Sequence, residues 1–206
     1  MMGNISYRRK GENHAPPNGV PAGYKKISYI QSSGTQAIDT GFKPNQDTRL
    51  IADVSWEPTG ATQWLFGCRT ATNDRTYNCV RVNGRYRSDY NNTSTGATLS
   101  VNPSGRFKID KDRNITKIDG AVACTLTYGA FQAQYNLALF ANNNAGKITG
   151  GTSAKLYSCK IYDNGTLIRD FIPCVNPSGT VGLYDLVGKK FYGNAGTGAF
   201  IGSEVP

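Results

Sequence analysis

Glutamate and histidine are almost missing from this chain of 206 residues, and the shortage limits the chemistry that it can perform. There are only three glutamates, Glu12, Glu57 and Glu204, and one histidine, His14. Glycoside hydrolysis needs two carboxylates on neighbouring strand positions, and no E-x-D-x-x-E or similar run occurs. A serine or cysteine nucleophile needs a base, usually histidine, and neither a G-x-S-x-G elbow nor a phosphate-binding loop is present. The sequence therefore predicts a protein that is not an enzyme.

Closely spaced cysteines are also missing. The chain has five cysteines and no C-x-x-C pair; they are Cys68, Cys79, Cys124, Cys159 and Cys174. With a single histidine, no zinc-finger spacing can be drawn. An odd number of cysteines weakens a disulfide framework, and free cysteine behaves as a small hydrophobic residue. We therefore expect most of the five to be buried, reduced thiols.

No dense acidic loop is present, and this absence bears on calcium. Asp110, Asp112 and Asp119, or Asp163 together with backbone carbonyls, offer oxygen atoms of the kind that Ca²⁺ prefers. Without a dense acidic loop around them, surface turns are favoured over a calcium site. We expect no metal and no cofactor.

Long apolar runs are missing as well. No stretch approaches the roughly 18–20 residues needed to span a bilayer. The segment Met1–Lys10 lacks the apolar core of a signal peptide. We therefore expect neither membrane insertion nor secretion through the signal-peptide pathway.

Basic residues, by contrast, are plentiful. The net charge is +9 and the isoelectric point is about 9.4, and part of the charge lies in Arg8–Lys10 and the pair Lys25-Lys26. Scattered basic charge usually marks a solvated surface. The functional alternative is attraction to an anionic partner such as teichoic acid, a sialylated glycan or nucleic acid. No RNA- or DNA-binding signature accompanies the charge, so nucleic acid is not the expected partner.

The first 22 residues differ from the rest. They are polar and rich in glycine and proline, which predicts a leader or anchor segment that packs little core of its own. Patterned sequence starts at Tyr24 and continues almost to the last residue. We therefore predict a leader over residues 1–22 and one domain over residues 23–206.

Several segments alternate between apolar and polar residues, as strands with one buried face do. The alternation is clearest in Arg49–Trp56. In Lys155–Tyr162 it places Tyr157 on the apolar side. Tyr135–Phe140 and Arg106–Ile109 predict further strands.

Tight-turn signals separate these segments. The dipeptides are Asn83-Gly84, Asp119-Gly120, Asn164-Gly165 and Gly188-Lys189. Asn-Gly and Asp-Gly adopt the positive φ angles that two-residue hairpin turns require. Many short strands with such turns predict an all-β fold, a two-sheet antiparallel β-sandwich of jelly-roll type with a short extended leader.

The Asn83-Gly84 turn gives the sharpest prediction of a site. A two-residue turn there pairs Val82 with Arg85 and Tyr77 with Tyr90. One face of this hairpin then carries Tyr77, Arg81, Tyr86, Ser88 and Tyr90. Aromatic rings stack on the C–H faces of sugars, and arginine and hydroxyl groups bond sugar hydroxyls, so we predict a carbohydrate-binding face. The alternative is that the tyrosines fill the core with their hydroxyls at its edge.

Two further candidates for a binding rim lie outside the hairpin. They are Trp64 and the asparagine-rich segment Ala141–Ala145, for which the sequence predicts a loop.

Two segments carry a resemblance to a known family. Residues 29–41 read YIQSSGTQAIDTG and residues 160–174 read KIYDNGTLIRDFIPC, followed by GLYDLV at 182–187 and FYGNAGTG at 191–198. They resemble the YIESSGTQYIDTG and KIYDNGTLVRDFIPC segments of LamG-like, concanavalin A-like domains. Such domains occur in phage and prophage structural proteins of Firmicutes. The similarity is close at the start and in the last quarter of the patterned region.

The resemblance implies a concanavalin A-like jelly roll on a tail or capsid appendage, or in a bacterial surface protein. It implies synthesis in a bacterial cytoplasm and a final place on the virion surface. Within the resembling segments, Arg169, Asp170 and Asp185 are the right residue types for a buried charge network that pins the C-terminal strands.

Three functions remain open at this point. The first is a virion module that binds a host cell-surface glycan, with many copies on the particle raising a weak single-site affinity. The second is an architectural decoration or adaptor protein of the capsid or tail, which contacts other virion proteins through residues 1–22. The third is a bacterial surface adhesin.

Overall fold

The computed structural model describes residues 19–57, 59–60, 62–71 and 74–204, apart from the side chains of residues 93–95. Within these ranges the chain forms eighteen β-strands and no helix. The strands are β1 (Lys25–Lys26), β2 (Ile30–Ser33), β3 (Ile38–Asp39), β4 (Thr48–Trp56), β5 (Thr62–Arg69), β6 (Thr76–Val82), β7 (Arg85–Thr98), β8 (Arg106–Asp112), β9 (Ile115–Ile118), β10 (Ala121–Thr125), β11 (Ala138–Leu139), β12 (Asn142–Asn144), β13 (Lys147–Thr149), β14 (Ser153–Asp163), β15 (Thr166–Val175), β16 (Val181–Asp185), β17 (Lys190–Tyr192) and β18 (Ile201–Gly202).

The strands form two sheets that face each other across one main core. The large sheet has the order β10-β9-β8-β4-β14-β15-β16-β17, and β1, β2 and β18 pair at its side. The small sheet has the order β13-β12-β5-β11-β3, with β6 on β5 and β7 on β6. The predicted β-sandwich is confirmed. Its pairing is antiparallel except between β5 and β12, which run parallel.

The alternation predicted for Arg49–Trp56 is confirmed in β4, where buried and half-buried side chains strictly alternate. The buried ones end in Trp56, whose indole N–H donates to Thr152 Oγ1 at 2.7 Å. Opposite β4, the small sheet contributes Phe66 and Tyr77, both fully buried. Alternating apolar residues in both sheets therefore build the core, as expected for a sandwich.

The hairpin turns are confirmed where asparagine or aspartate precedes glycine. Positive φ angles are found at both residues of Asn83-Gly84, Asp119-Gly120 and Asn164-Gly165. At Gly188-Lys189 the positive φ falls on Lys189.

Two strand predictions need correction. Tyr135–Phe140 forms a strand only over Ala138–Leu139, where β11 pairs with both β3 and β5. In β14 a bulge between Leu156 and Ser158 leaves Tyr157 without a cross-strand partner. A bulge shifts side chains to the other face, and Tyr157 accordingly leaves the apolar side and contacts Tyr29, with the ring centroids 5.6 Å apart.

The predicted leader ends in ordered structure. Residues 1–18 lie outside the described residues, so the leader prediction stays a prediction there. Within the remainder, Val20 is buried in a small apolar cluster with Cys174 and Tyr184, so the chain packs against the sandwich before Tyr24.

All five cysteines are buried and free, as predicted. Burial raises the pKa of each thiol.

No helix in the described part of the chain could cross a membrane.

The core also contains a lysine, which composition does not predict. Lys111 of β8 is fully buried, and its Nζ donates to Ser88 Oγ at 2.6 Å. The ammonium lies 4.9 Å from the centre of the Tyr77 ring. Burial lowers the pKa of Lys111 from 10.5 to about 8, because a charged ammonium loses its hydration in the core.

Replacing Lys111 by methionine will stabilise the protein at neutral pH. Each pKa unit corresponds to about 1.4 kcal/mol, so the charge costs the folded state about 3 kcal/mol. Since the pKa is lower in the folded than in the unfolded protein, this cost disappears as pH rises from about 8 to 10.5. Urea denaturation between about pH 8 and 10.5 should show that the free energy of unfolding of Lys111→Met exceeds that of the parent by less and less as the pH rises.

The control is Lys108→Met on the same strand, because Lys108 is exposed. It should change the free energy of unfolding by less than about 0.5 kcal/mol. Buried thiols with a raised pKa destabilise the parent and both variants at high pH. The difference in stability between Lys111→Met and the parent is therefore compared with the difference between Lys108→Met and the parent at each pH. A constant difference would show that the buried ammonium is not the cause.

Candidate functional site

The hairpin predicted at Asn83-Gly84 forms with the predicted register. Val82 pairs with Arg85, Cys79 with Ser88, and Tyr77 with Tyr90. Its predicted binding face, however, points into the sandwich.

The side chains of that face are core residues, which corrects the predicted carbohydrate-binding face. Tyr77, Ser88 and Tyr90 have no exposed surface, and Tyr86 keeps only 7%. The three tyrosine hydroxyls donate to backbone carbonyls. Arg81 is half-buried and its Nη1 lies 3.5 Å from the carbonyl oxygen of Gly60. A sugar cannot reach tyrosine rings that lie between the two sheets. The alternative interpretation of this hairpin, in which the tyrosines fill the core, therefore applies.

The opposite face of the same sheet carries a different group of side chains. Asn78 of β6 and Asn142 of β12 are both register partners of Gly67 in β5. A Cβ on Gly67 would lie 2.7 Å from Asn142 Oδ1 and 3.2 Å from Trp64 Cδ1. The side chains of Trp64, Asn78 and Asn142 thus converge over Gly67, which has no side chain. We call Trp64, Gly67, Thr76, Asn78 and Asn142 the Gly67 patch.

The polar atoms of the Gly67 patch lack hydrogen-bond partners. Among the described residues, five buried side-chain nitrogen or oxygen atoms have no hydrogen-bond partner. Four of the five belong to this patch: Thr76 Oγ1, Asn78 Oδ1, Asn142 Oδ1 and Asn142 Nδ2. Thr76 and Asn142 have no exposed surface and Asn78 has 1%. A buried polar group without a partner costs about 1–3 kcal/mol. The patch therefore holds donors and acceptors that would gain partners only from a ligand or water that displaces the side chains now covering them.

The charged groups beside the patch already have partners. Asp89 is the register partner of Asn78 and forms a 2.6 Å ion pair with Arg87. Arg69 follows Gly67 on the same face of β5, and its Nε donates to Asn144 Oδ1 at 2.8 Å. The unsatisfied atoms of the patch are uncharged, but the Arg69 guanidinium beside them is bonded to a neutral amide and keeps its positive charge.

Trp64 forms one border of the patch. It is half-buried, and the Arg69 guanidinium lies 6.0 Å from the centre of the indole ring. A Cβ on Gly150 would lie 2.0 Å from the six-membered part of the ring, so only glycine leaves room for the indole at this place. Trp64 is the one residue of the predicted carbohydrate-binding set that belongs to the Gly67 patch.

The segment Ala141–Ala145 contributes to the site in a way that its sequence does not reveal. It was predicted as a loop at the rim, but Asn142–Asn144 forms strand β12. Sequence patterns alone do not indicate Asn78, because the aromatic side chains of the hairpin lie on the Tyr77 face. The alternation of β6 places Asn78 on the opposite face from Tyr77, but a single asparagine there does not by itself signal a site.

The predicted charge network forms in part. Asp185 is fully buried, and its Oδ1 accepts the backbone N–H groups of Asp170 and Val187. Arg169 Nε lies 3.6 Å from Asp185 Oδ2. The Asp170 carboxylate instead pairs with Lys160 at 3.3 Å, since alternate residues of β15 point to opposite faces. The network therefore joins Arg169 to Asp185 and includes Asp170 only through its backbone.

The four aspartates considered for calcium accept hydrogen bonds from protein donors. The donors are Arg49 for Asp110, Arg113 for Asp112, the Lys108 backbone N–H for Asp119 and Asn45 for Asp163. No group of three or more possible metal ligands occurs among the described residues.

Comparison with protein-family models gives no match, and comparison with curated proteins gives none either. Among solved structures, the chain is similar to the CBM40 domain of the Ruminococcus gnavus IT-sialidase, determined with bound α2,3-sialyllactose. The TM-score is 0.51 at 15% sequence identity, and the match covers 68% of this chain and 90% of the other. At this identity the similarity establishes the fold, and the fold is a lectin-like β-sandwich.

Proposed function

We propose that this protein is a non-enzymatic carbohydrate-binding module and that the Gly67 patch holds the glycan. The observation that carries the proposal is the grouping of four unsatisfied, buried polar atoms on one face of one sheet. Amide and hydroxyl groups of this kind pair with sugar hydroxyls, which both donate and accept hydrogen bonds. The half-buried indole of Trp64 adds an aromatic surface for the C–H groups of a sugar. The similarity to the R. gnavus domain supports the proposal, because that domain was determined with a glycan bound.

We place the protein on the surface of a phage or prophage particle, where it would bind glycans of the host cell. The support for this location is the resemblance of residues 29–41 and 160–174 to phage structural proteins. Residues 1–22 would then attach the domain to other virion proteins. Many copies on one particle would raise a weak single-site affinity through avidity.

An architectural role in the capsid or tail remains the second proposal, and a bacterial surface adhesin the third. Both would use the same sandwich, but neither explains why the unsatisfied polar atoms gather around Gly67. Glycan binding does explain it, and for this reason we rank it first.

The full-length protein, displayed in many copies on beads, should bind a subset of glycans on an array. Asn142→Leu and Asn78→Leu should each weaken this binding by about tenfold or more, because leucine keeps the approximate shape of asparagine and removes its hydrogen-bonding atoms.

The matched control is Asn102→Leu, since Asn102 is exposed in the loop between β7 and β8. This variant should bind as the parent does. Equal binding by all four proteins would rule out the Gly67 patch as the site. Capture of virion proteins without any glycan binding would favour the architectural role.

The same Asn142→Leu variant should be more stable than the parent. An unsatisfied buried amide costs about 1–3 kcal/mol, and an apolar group of the same shape avoids that cost. We expect the free energy of unfolding to rise by about 1–2 kcal/mol, measured by urea denaturation without glycan. Such a trade of stability for function is common at binding sites. A clear loss of stability would mean that the amide is already satisfied, for instance by ordered water.

A further inference from the structure

The strands of the small sheet carry more basic than acidic residues. Their acidic residues are Asp39 and Asp89, of which Asp89 pairs with Arg87 at 2.6 Å and Asp39 lies on β3, at the opposite edge of the sheet from β13. Three neighbouring strands, β5, β12 and β13, contain no acidic residue. The basic residues of the sheet are Arg69, Arg81, Arg85, Arg87 and Lys147. On β5, β12 and β13 the positive charge therefore comes from Arg69 and Lys147.

Arg69 and Lys147 flank one asparagine on one face of the sheet. Asn144 of β12 is the register partner of Arg69 across β5 and of Lys147 across β13. The turn between β12 and β13 is Ala145-Gly146, with positive φ at both residues, as a two-residue hairpin turn requires. Register partners place their side chains on the same face. Since neighbouring strands lie about 4.8 Å apart, the backbones at Arg69 and Lys147 are about 10 Å apart.

Neither of the two cations is neutralised by the protein. Among the described residues, no aspartate or glutamate forms an ion pair with Arg69 or Lys147. Asp74, in the turn that follows β5, pairs with Arg75 at 3.4 Å. The Arg69 Nε donates to the uncharged Asn144 amide at 2.8 Å, which orients the guanidinium and keeps its charge. The Nη groups of a guanidinium held in this way suit the two oxygens of a carboxylate or phosphate.

These groups have surface at which a ligand can bind. Lys147 is exposed, and Arg69 and Trp64 are half-buried. The Arg69 guanidinium lies 6.0 Å from the centre of the Trp64 ring. An indole offers a flat surface to the C–H groups of a sugar. A sugar on Trp64 therefore brings its substituents within reach of Arg69.

We infer that the ligand is a glycan with an anionic group, a carboxylate or a phosphate. Its charge would lie between Arg69 and Lys147, and its sugar ring on Trp64. This inference rests on the proposed function and adds the charge of the glycan and the residues that recognise that charge. The contacts that it adds come from exposed groups at the border of the Gly67 patch, so it does not depend on the buried amides.

The experiment compares glycans that differ in one anionic group. The full-length protein is titrated by calorimetry with lactose and 3′-sialyllactose, which differ by a sugar with a carboxylate, and with mannose and mannose 6-phosphate. In at least one pair, the anionic member should bind about tenfold more tightly than the neutral one. The preference should shrink at high salt, because salt screens exposed charges. The pair that shows it identifies the group as carboxylate or phosphate.

Variants of the two cations test where the charge is read. Arg69→Gln should weaken binding of the anionic glycan about tenfold and leave that of its neutral partner unchanged. Arg69→Lys keeps the charge without the forked geometry and should restore part of the preference. Lys147→Gln should weaken anionic binding about threefold, because its flexible ammonium contributes as a point charge.

The matched control is Arg85→Gln. Arg85 is exposed on the same sheet, next to the Asn83-Gly84 turn, and its replacement removes the same charge from the protein. This variant should keep the full preference for the anionic glycan. Thermal unfolding shows which variants are folded. If Arg69→Gln does not fold, Lys147→Gln at its exposed position decides.

The failures of the inference and of the proposed function are distinguishable. Equal affinity within both pairs, or an unchanged preference in Arg69→Gln and Lys147→Gln, would overturn the anionic ligand. Loss of neutral glycan binding in Asn142→Leu would then still support the proposed function. An equal loss of preference in Arg85→Gln would assign it to overall charge and would also overturn the inference. Absence of binding to every glycan on the array would overturn the proposed function itself.

Discussion

A hydrogen bond across the core sets the arrangement on which the rest depends. The buried Tyr77 hydroxyl donates to the Lys111 carbonyl oxygen at 2.6 Å and so connects β6 of the small sheet with β8 of the large one. Tyr86 and Tyr90 make corresponding bonds to backbone carbonyls near the two ends of β4. A buried hydroxyl without a partner costs about 1–3 kcal/mol, so the three tyrosines fix how the small sheet lies on the large one.

The inward position of the tyrosines determines what the outer face presents. Successive side chains of a strand point to opposite faces, so Tyr77 in the core requires Thr76 and Asn78 on the other side. Gly67 lies between Asn78 and Asn142 in the register, and its missing side chain leaves the space into which they point. Core and candidate site are therefore the two faces of the same strands, and a shift of register by one residue would destroy both.

The sequence predicted the fold well, since alternation and turn chemistry are local. The hairpin at Asn83-Gly84 was correct to the residue. The sequence could not show which face of that hairpin points inwards, because a strand is consistent with either the Tyr77 face or the Asn78 face in the core. Asn142 meets Asn78 only through the parallel pairing of β12 with β5, a contact that no local pattern encodes. A bulge likewise turned Tyr157 outwards, against its alternation.

The strongly basic composition and the Gly67 patch have different consequences. Two outward-facing arginines of the large sheet, Arg49 and Arg106, form bidentate pairs with Asp110 and Asp53, and Arg69 beside the patch is bonded to an asparagine. Charge that is exposed and partly paired acts at long range and raises the rate of approach to an anionic cell surface. Under the proposed function, close contacts with the glycan would come from the Gly67 patch, whose unpaired atoms are uncharged, with the positive charge of Arg69 beside it. Under the proposed function, the net charge of +9 would bear on where the protein accumulates, and Asn78 and Asn142 on what it recognises there.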